Sequence, residues 1–151
     1  MLRRIDRVVL RPHPHRVRRG GTWNTEVASP ASLLNDVAVV NANVAWTVGN
    51  AGLIMKTVDA GAHWVAQGSG VTADLSSISV VNADVAWAVG AGGTIVKTED
   101  GGATWRAQVS GTTAAIRRIA AADVDRAWAI AGGQSVIAVT DGGVYQPLSS
   151  P

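Results

Sequence analysis

The stretch from Val85 to Trp105, V-A-W-A-V-G-A-G-G-T-I-V-K-T-E-D-G-G-A-T-W, recurs at a fixed spacing of 41 residues. Moved back by 41 it lies on Val44 to Trp64, V-A-W-T-V-G-N-A-G-L-I-M-K-T-V-D-A-G-A-H-W. Moved forward, Trp87, Asp100 and Gly102 fall on Trp128, Asp141 and Gly143. All six tryptophans lie on two series of this period: Trp46, Trp87 and Trp128, and Trp23, Trp64 and Trp105. A period of this size marks a stack of like units, each of which needs its neighbour to bury an apolar face.

The unit is built of strands. Apolar content comes from Val, Ala, Ile and Trp, Phe is absent, and 17 glycines punctuate the chain. Such residues favour short strands joined by tight turns. In the middle unit, alternation predicts strands at Leu75–Val81, Val85–Val89, Thr94–Thr98 and Thr104–Val109. Turns fall at 82–84, 90–93 and 100–102. Four antiparallel strands in about 41 residues describe one blade of a β-propeller. A β-solenoid has shorter repeats without three reversals per unit. A helical repeat conflicts with glycine clusters that would each cost a helix interior about 1 kcal/mol.

The period divides the chain into a basic tail, 1–19, a partial blade, 20–32, and three fuller blades, 33–69, 74–110 and 115–148. Gly20-Gly21-Thr22-Trp23 reads as the end of a repeat, with Arg18 where Asp59 and Asp100 stand later. The tail carries a net charge of +6 and the remainder −4, so the basic isoelectric point belongs to the tail alone. This argues against a nucleic-acid-binding body. Seven tail arginines could still make salt-dependent, non-specific contact with an anionic polymer or membrane surface. No aromatic side chain is interleaved among them to stack on bases. No run approaches the roughly 20 apolar residues of a membrane span. Val8-Val9-Leu10 is too short for the core of a secretory signal.

The turn Thr57-Val58-Asp59-Ala60-Gly61-Ala62-His63-Trp64 and its copy Thr98-Glu99-Asp100-Gly101-Gly102-Ala103-Thr104-Trp105 carry the densest signal. A hairpin this tight leaves backbone N–H groups without ladder partners, and an aspartate can accept from two or three of them. Gly61 and Gly102 supply positive φ, and Trp64 and Trp105 are expected to fold over the turn. Repetition at equivalent positions spreads these aspartates around a rim, whereas a catalytic or calcium site needs different residues converging at one point. They therefore read as structural, with no catalytic, metal or cofactor site assigned. The third copy keeps Asp141 and Gly143 but has Val139 for the Thr and Gln146 for the Trp; Tyr145 could substitute for the missing ring. Copies that degrade toward both ends are typical of terminal repeats.

These residues resemble the Asp-box, or bacterial neuraminidase repeat. The fuller pattern W-x-V-G-x-x-G-x-I-x-K-T-x-D-x-G-x-x-W, carried at Trp46–Trp64 and Trp87–Trp105, resembles the photosystem II assembly/stability factor family and its relatives in non-photosynthetic bacteria. The resemblance covers about residues 20–146. It implies a seven-bladed, non-enzymatic propeller, exported to a lumen, periplasm or cell surface, that binds a protein subunit during assembly. Three blades and a partial one do not close a ring of 4 to 8. The expectation is therefore a fragment of a larger propeller, or a homo-oligomer that completes the ring.

A sialidase-like or other glycoside hydrolase is the enzymatic alternative. Sialidases bring three arginines and a tyrosine together. Here only Arg106, Arg117, Arg118 and Arg126 lie outside the tail, and Tyr145 is the sole tyrosine. His13 and His15 could at most hold a metal weakly, and His63 takes the Thr position of its turn. A recognition surface is better sought where equivalent positions differ. Arg117-Arg118 replaces Ser76-Ser77 on a first strand, where one of two neighbours is expected to face a central channel. Asn50 replaces Ala91.

Overall fold

The computed structural model describes residues 32–140 and the backbone of 145–147. The tail 1–19, nearly all of the partial blade 20–32, and Asp141 and Gly143 lie outside these residues. The described chain forms twelve strands in three separate four-stranded antiparallel sheets, each a simple meander. The first sheet is β1 (Leu34–Val39), β2 (Ala45–Gly49), β3 (Ile54–Thr57) and β4 (Val65–Gln67). The second is β5 (Leu75–Val80), β6 (Ala86–Gly90), β7 (Ile95–Thr98) and β8 (Arg106–Gln108). The third is β9 (Ile116–Ala121), β10 (Arg126–Ala131), β11 (Ser135–Thr140) and β12 (Tyr145–Pro147). Among the described residues, no helix is long and apolar enough to cross a membrane.

Strand placement follows the sequence pattern to within two residues at each end, and the turns explain most of the difference. The glycine run after β6 is a single 3-10 turn, Ala91–Gly93, with Gly92 at φ 69°. Its first-sheet counterpart places Ala51 at φ 59°. The 82–84 turn is closed by Asn82, whose Oδ1 accepts from the Asp84 and Val85 amides. Asn41 does the same for Asn43 and Val44, and Asp123 for Asp125 and Arg126. Such side-chain turns bend the chain without a ladder partner.

The sheets stack face on face, and the period-2 alternation of each strand serves two cores at once. Trp46, Val48 and Ile54 of the first sheet pack against Leu75, Ile78, Ala86, Ala88, Val96 and Trp105 of the second. Trp87, Val89 and Ile95, on the other face of the second sheet, pack against Ile116, Ile119, Ala127, Ala129, Ala131, Ile137 and Val139 of the third. Strand β6, covered on both faces, is buried throughout, whereas β10 alternates buried and exposed. The equivalent tryptophans record this directly: Trp46 and Trp87 are 0% exposed and Trp128 is 44% exposed. Small alanines on one face and large Trp, Val and Ile on the other let neighbouring sheets interdigitate.

Candidate functional site

The two intact Asp turns have one geometry, and it differs in its division of labour from the sequence expectation. The buried threonine serves the turn amides. Thr57 Oγ1 accepts from Gly61 N at 2.9 Å and Asp59 N at 3.3 Å. Thr98 Oγ1 accepts from Gly102 N at 2.9 Å and Asp100 N at 3.4 Å. Each hydroxyl then donates to its aspartate, Thr57 to Asp59 at 2.9 Å and Thr98 to Asp100 at 2.8 Å. The carboxylate takes one backbone amide, His63 N or Thr104 N, each at 2.9 Å. A hydroxyl donates and accepts at once, so it can relay inward while the charge stays at the surface. An aspartate carrying all the inward amides would have to be desolvated.

Both carboxyl groups are held down at about 2. For Asp100 the main cause is the Thr104 hydroxyl, which donates to Oδ2 at 2.6 Å, followed by the Thr104 amide and Thr98. For Asp59 it is the His63 side chain, whose Nδ1 lies 2.7 Å from Oδ2, followed by the His63 amide and Thr57. His63 itself is 82% exposed. Gly61 and Gly102 have φ of 89° and 94°, the left-handed region where glycine carries least strain.

The tryptophan that closes each turn reaches beyond its own hairpin. Trp105 is buried at the seam with the first sheet, its ring centroid 5.6 Å from that of Trp46 in an edge-on arrangement. Its Nε1–H donates to Gln67 Oε1 at 3.2 Å, and Gln67 Nε2 donates to Gly101 O at 3.2 Å. A side chain at Gly102 would collide with the Gln67 amide. Lys56 of the first sheet adds bonds to Gly101 O at 2.9 Å and Ala83 O at 3.2 Å, with its ammonium 4.8 Å from the Trp46 ring centroid. Burial lowers the Lys56 pKa, partly opposed by Asp84. Trp64, the equivalent residue of the first sheet, is half-buried. The Asp turn of the second sheet is thus a clasp on the first. Gln67 recurs as Gln108, 41 residues on, but the spacing alone does not say what either side chain reaches.

The first strands β1, β5 and β9 stand side by side and are laced by short polar side chains. Asn35 Nδ2 donates to Leu75 O at 2.8 Å and Ile78 N donates to Asp36 Oδ2 at 3.0 Å. One sheet on, Ser76 Oγ donates to Ile116 O at 2.6 Å, Ile119 N to Ser77 Oγ at 3.3 Å, and Ala121 N to Ser79 Oγ at 2.9 Å. Two consecutive residues reach the neighbour because the register shifts between Leu34 and Asp36, between Leu75 and Ser77, and opposite Ile130 and Ala131. Such a bulge turns adjacent residues the same way. In the first two sheets both neighbours therefore turn toward the next sheet. At the third bulge sit Arg117 and Arg118, both exposed. Asn50 also finds its reason, accepting from Asn35 Nδ2 at 2.9 Å. Arg106 lies on β8 and Arg126 on β10, the latter 3.7 Å from Asp123.

Stacked four-stranded sheets that carry these Asp turns define a β-propeller of the Asp-box type. The chain belongs to the photosynthesis system II assembly factor YCF48 family, whose pattern matches residues 16–113. No curated protein matches the chain. Among solved structures it is similar to YCF48 bound to D1 peptide, with 23% identity and a TM-score of 0.69, covering 80% of this chain and 40% of that one. It is also similar to YCF48 from Cyanidioschyzon merolae, with 21% identity and a TM-score of 0.73, covering 85% and 40%. The WD40 β-propeller domain of Doa1 follows, with 12% identity and a TM-score of 0.58, covering 74% and 39%. At these identities the shared property is the propeller fold. The chain spans about 40% of the length of these structures.

Proposed function

We propose that this chain is a non-enzymatic, protein-binding propeller module of the assembly-factor kind, and that it takes up an acidic, extended segment of another protein through Arg117 and Arg118. The observation that carries this reading is the bulge on β9. In the first two sheets the equivalent positions hold Asn35-Asp36 and Ser76-Ser77, short side chains engaged with the next sheet. In the third they hold two exposed guanidinium groups. Arginine donates in a fixed fork that matches a carboxylate. The arginines have no hydroxyl or carboxylate with which to accept from a neighbouring strand amide, so they suit a partner that brings a carboxylate. The solved YCF48 with a D1 peptide supports a peptide as the kind of ligand.

The test is titration of a fluorescent poly-glutamate peptide, and separately of the D1 peptide, into the wild-type chain and an Arg117→Ser/Arg118→Ser variant. Binding of the acidic peptide is expected to be salt-dependent and to fall at least tenfold in the variant. Equal binding by both proteins would overturn it.

A further inference from the structure

We infer that the outer face of the third sheet and the exposed edge of the first are two halves of one interface, and that a second copy of this chain joins them head to tail. Trp128, Ile130 and Val136 are 44%, 42% and 44% exposed, while their equivalents Trp46, Val48 and Ile54, and Trp87, Val89 and Ile95, are fully buried by the next sheet. What covers those equivalents is led by a first strand: Leu75 and Ile78 of β5, then Ile116 and Ile119 of β9. The residues at the same positions of β1 are Leu34 and Val37, with Val39 two further on, and they are 44%, 58% and 64% exposed. Among the described residues, each copy therefore carries both an exposed socket and the strand that fills such a socket twice within the chain.

The polar atoms agree with the apolar ones. Inside the chain, the residue-36 position accepts the next strand's amide: Asp36 takes Ile78 N and Ser77 takes Ile119 N. The equivalent amide on β1 is Val37 N, and it is already satisfied by Asp36 Oδ1 at 2.9 Å. The group that would face it from the third sheet is Arg118, which cannot accept. A seam between β9–β10 of one copy and β1 of the next thus sets a guanidinium beside a carboxylate that caps its own strand, a complementary pair where an amide would clash with a donor. Such a contact is heterologous, and it closes into a ring when the rotation allows. Two copies supply six described sheets, within the 4 to 8 blades of closed propellers.

Capture of an acidic segment and this seam compete for Arg118, so the test leaves both arginines in place. Light scattering of the full chain after size exclusion, through the high-micromolar range, is expected to give a dimer. Val37→Asp and Ile130→Asp, each at an exposed position, are expected to give folded monomers with wild-type far-UV circular dichroism. A 1:1 mixture of the two variants is expected to recover association, because one seam then pairs an intact Val37 with an intact Ile130. A wild-type monomer would overturn the inference. So would a dimer indifferent to either substitution, or variants that do not complement each other.

Discussion

Gln67 Oε1, at the end of the first sheet, accepts the indole N–H of Trp105 from the second sheet at 3.2 Å. One side chain thereby joins the outer strand of one blade to the Asp turn of the next. Its equivalent, Gln108, has a buried Oε1 with no hydrogen-bond partner among the described residues. Position 146, 41 residues after Trp105, holds glutamine in place of tryptophan.

This contrast sets the first prediction. Trp105→Ala is expected to cost about 3 to 5 kcal/mol. Gln67→Leu leaves the Trp105 N–H buried without an acceptor and is expected to cost about 1 to 3 kcal/mol. Gln108→Leu removes an oxygen that has no partner among the described residues and should cost less than Gln67→Leu. Urea unfolding of the three variants reads the order, and a larger loss at Gln108 would refute the clasp.

Thr98→Val keeps the shape of a buried side chain and removes the oxygen that accepts Gly102 N and Asp100 N. With a buried turn amide left unpaired, a loss of about 1 to 3 kcal/mol is expected. Because the Asp100 carboxylate is exposed, Asp100→Asn should lower the urea midpoint by less than Thr98→Val does.

The aspartates make the fold acid-sensitive in a defined window. The Asp59 and Asp100 carboxyl groups sit at about 2 in the folded chain, below the ordinary carboxylate value of 3.8. A depressed folded pKa contributes stability that is complete above the unfolded value and is lost as pH falls through the folded one. Both groups are solvent-exposed, which keeps the contribution small. Melting temperature should fall between about pH 4 and pH 2, and the slope there should flatten in an Asp59→Asn/Asp100→Asn variant.

Ala60 stands at φ 61°, where its equivalent Gly101 has φ 74°. An alanine in the left-handed region is strained by roughly 1 kcal/mol. Ala60→Gly is expected to raise stability by about that amount, and Gly101→Ala to lower it. Thermal melts of the pair check the sign.

The alternation of Leu75 to Val81 and the glycine turns made the strands readable, because local chemistry decides them. The destination of a repeated residue was not readable in the same way. A period of 41 shows that Trp64 and Trp105 are equivalent, yet says nothing of whether each ring serves its own turn or the sheet before it. Thr98 was visible as part of the turn, but its precedence over Asp100 depends on which atom is buried. Arg117 and Arg118 stood out as a departure from Ser76-Ser77. That their equivalents Ser76 and Ser77 both reach the next sheet goes with a bulge, whose signature is a register shift between paired strands that no single strand sequence displays.

Hydrogen-exchange mass spectrometry with and without a saturating acidic peptide tests the recognition site most directly. Slowed exchange is expected to concentrate in β9, Ile116–Ala121, with the Asp turns at 57–64 and 98–105 unchanged. Protection centred on those turns, or bound peptide without any change at β9, would contradict it.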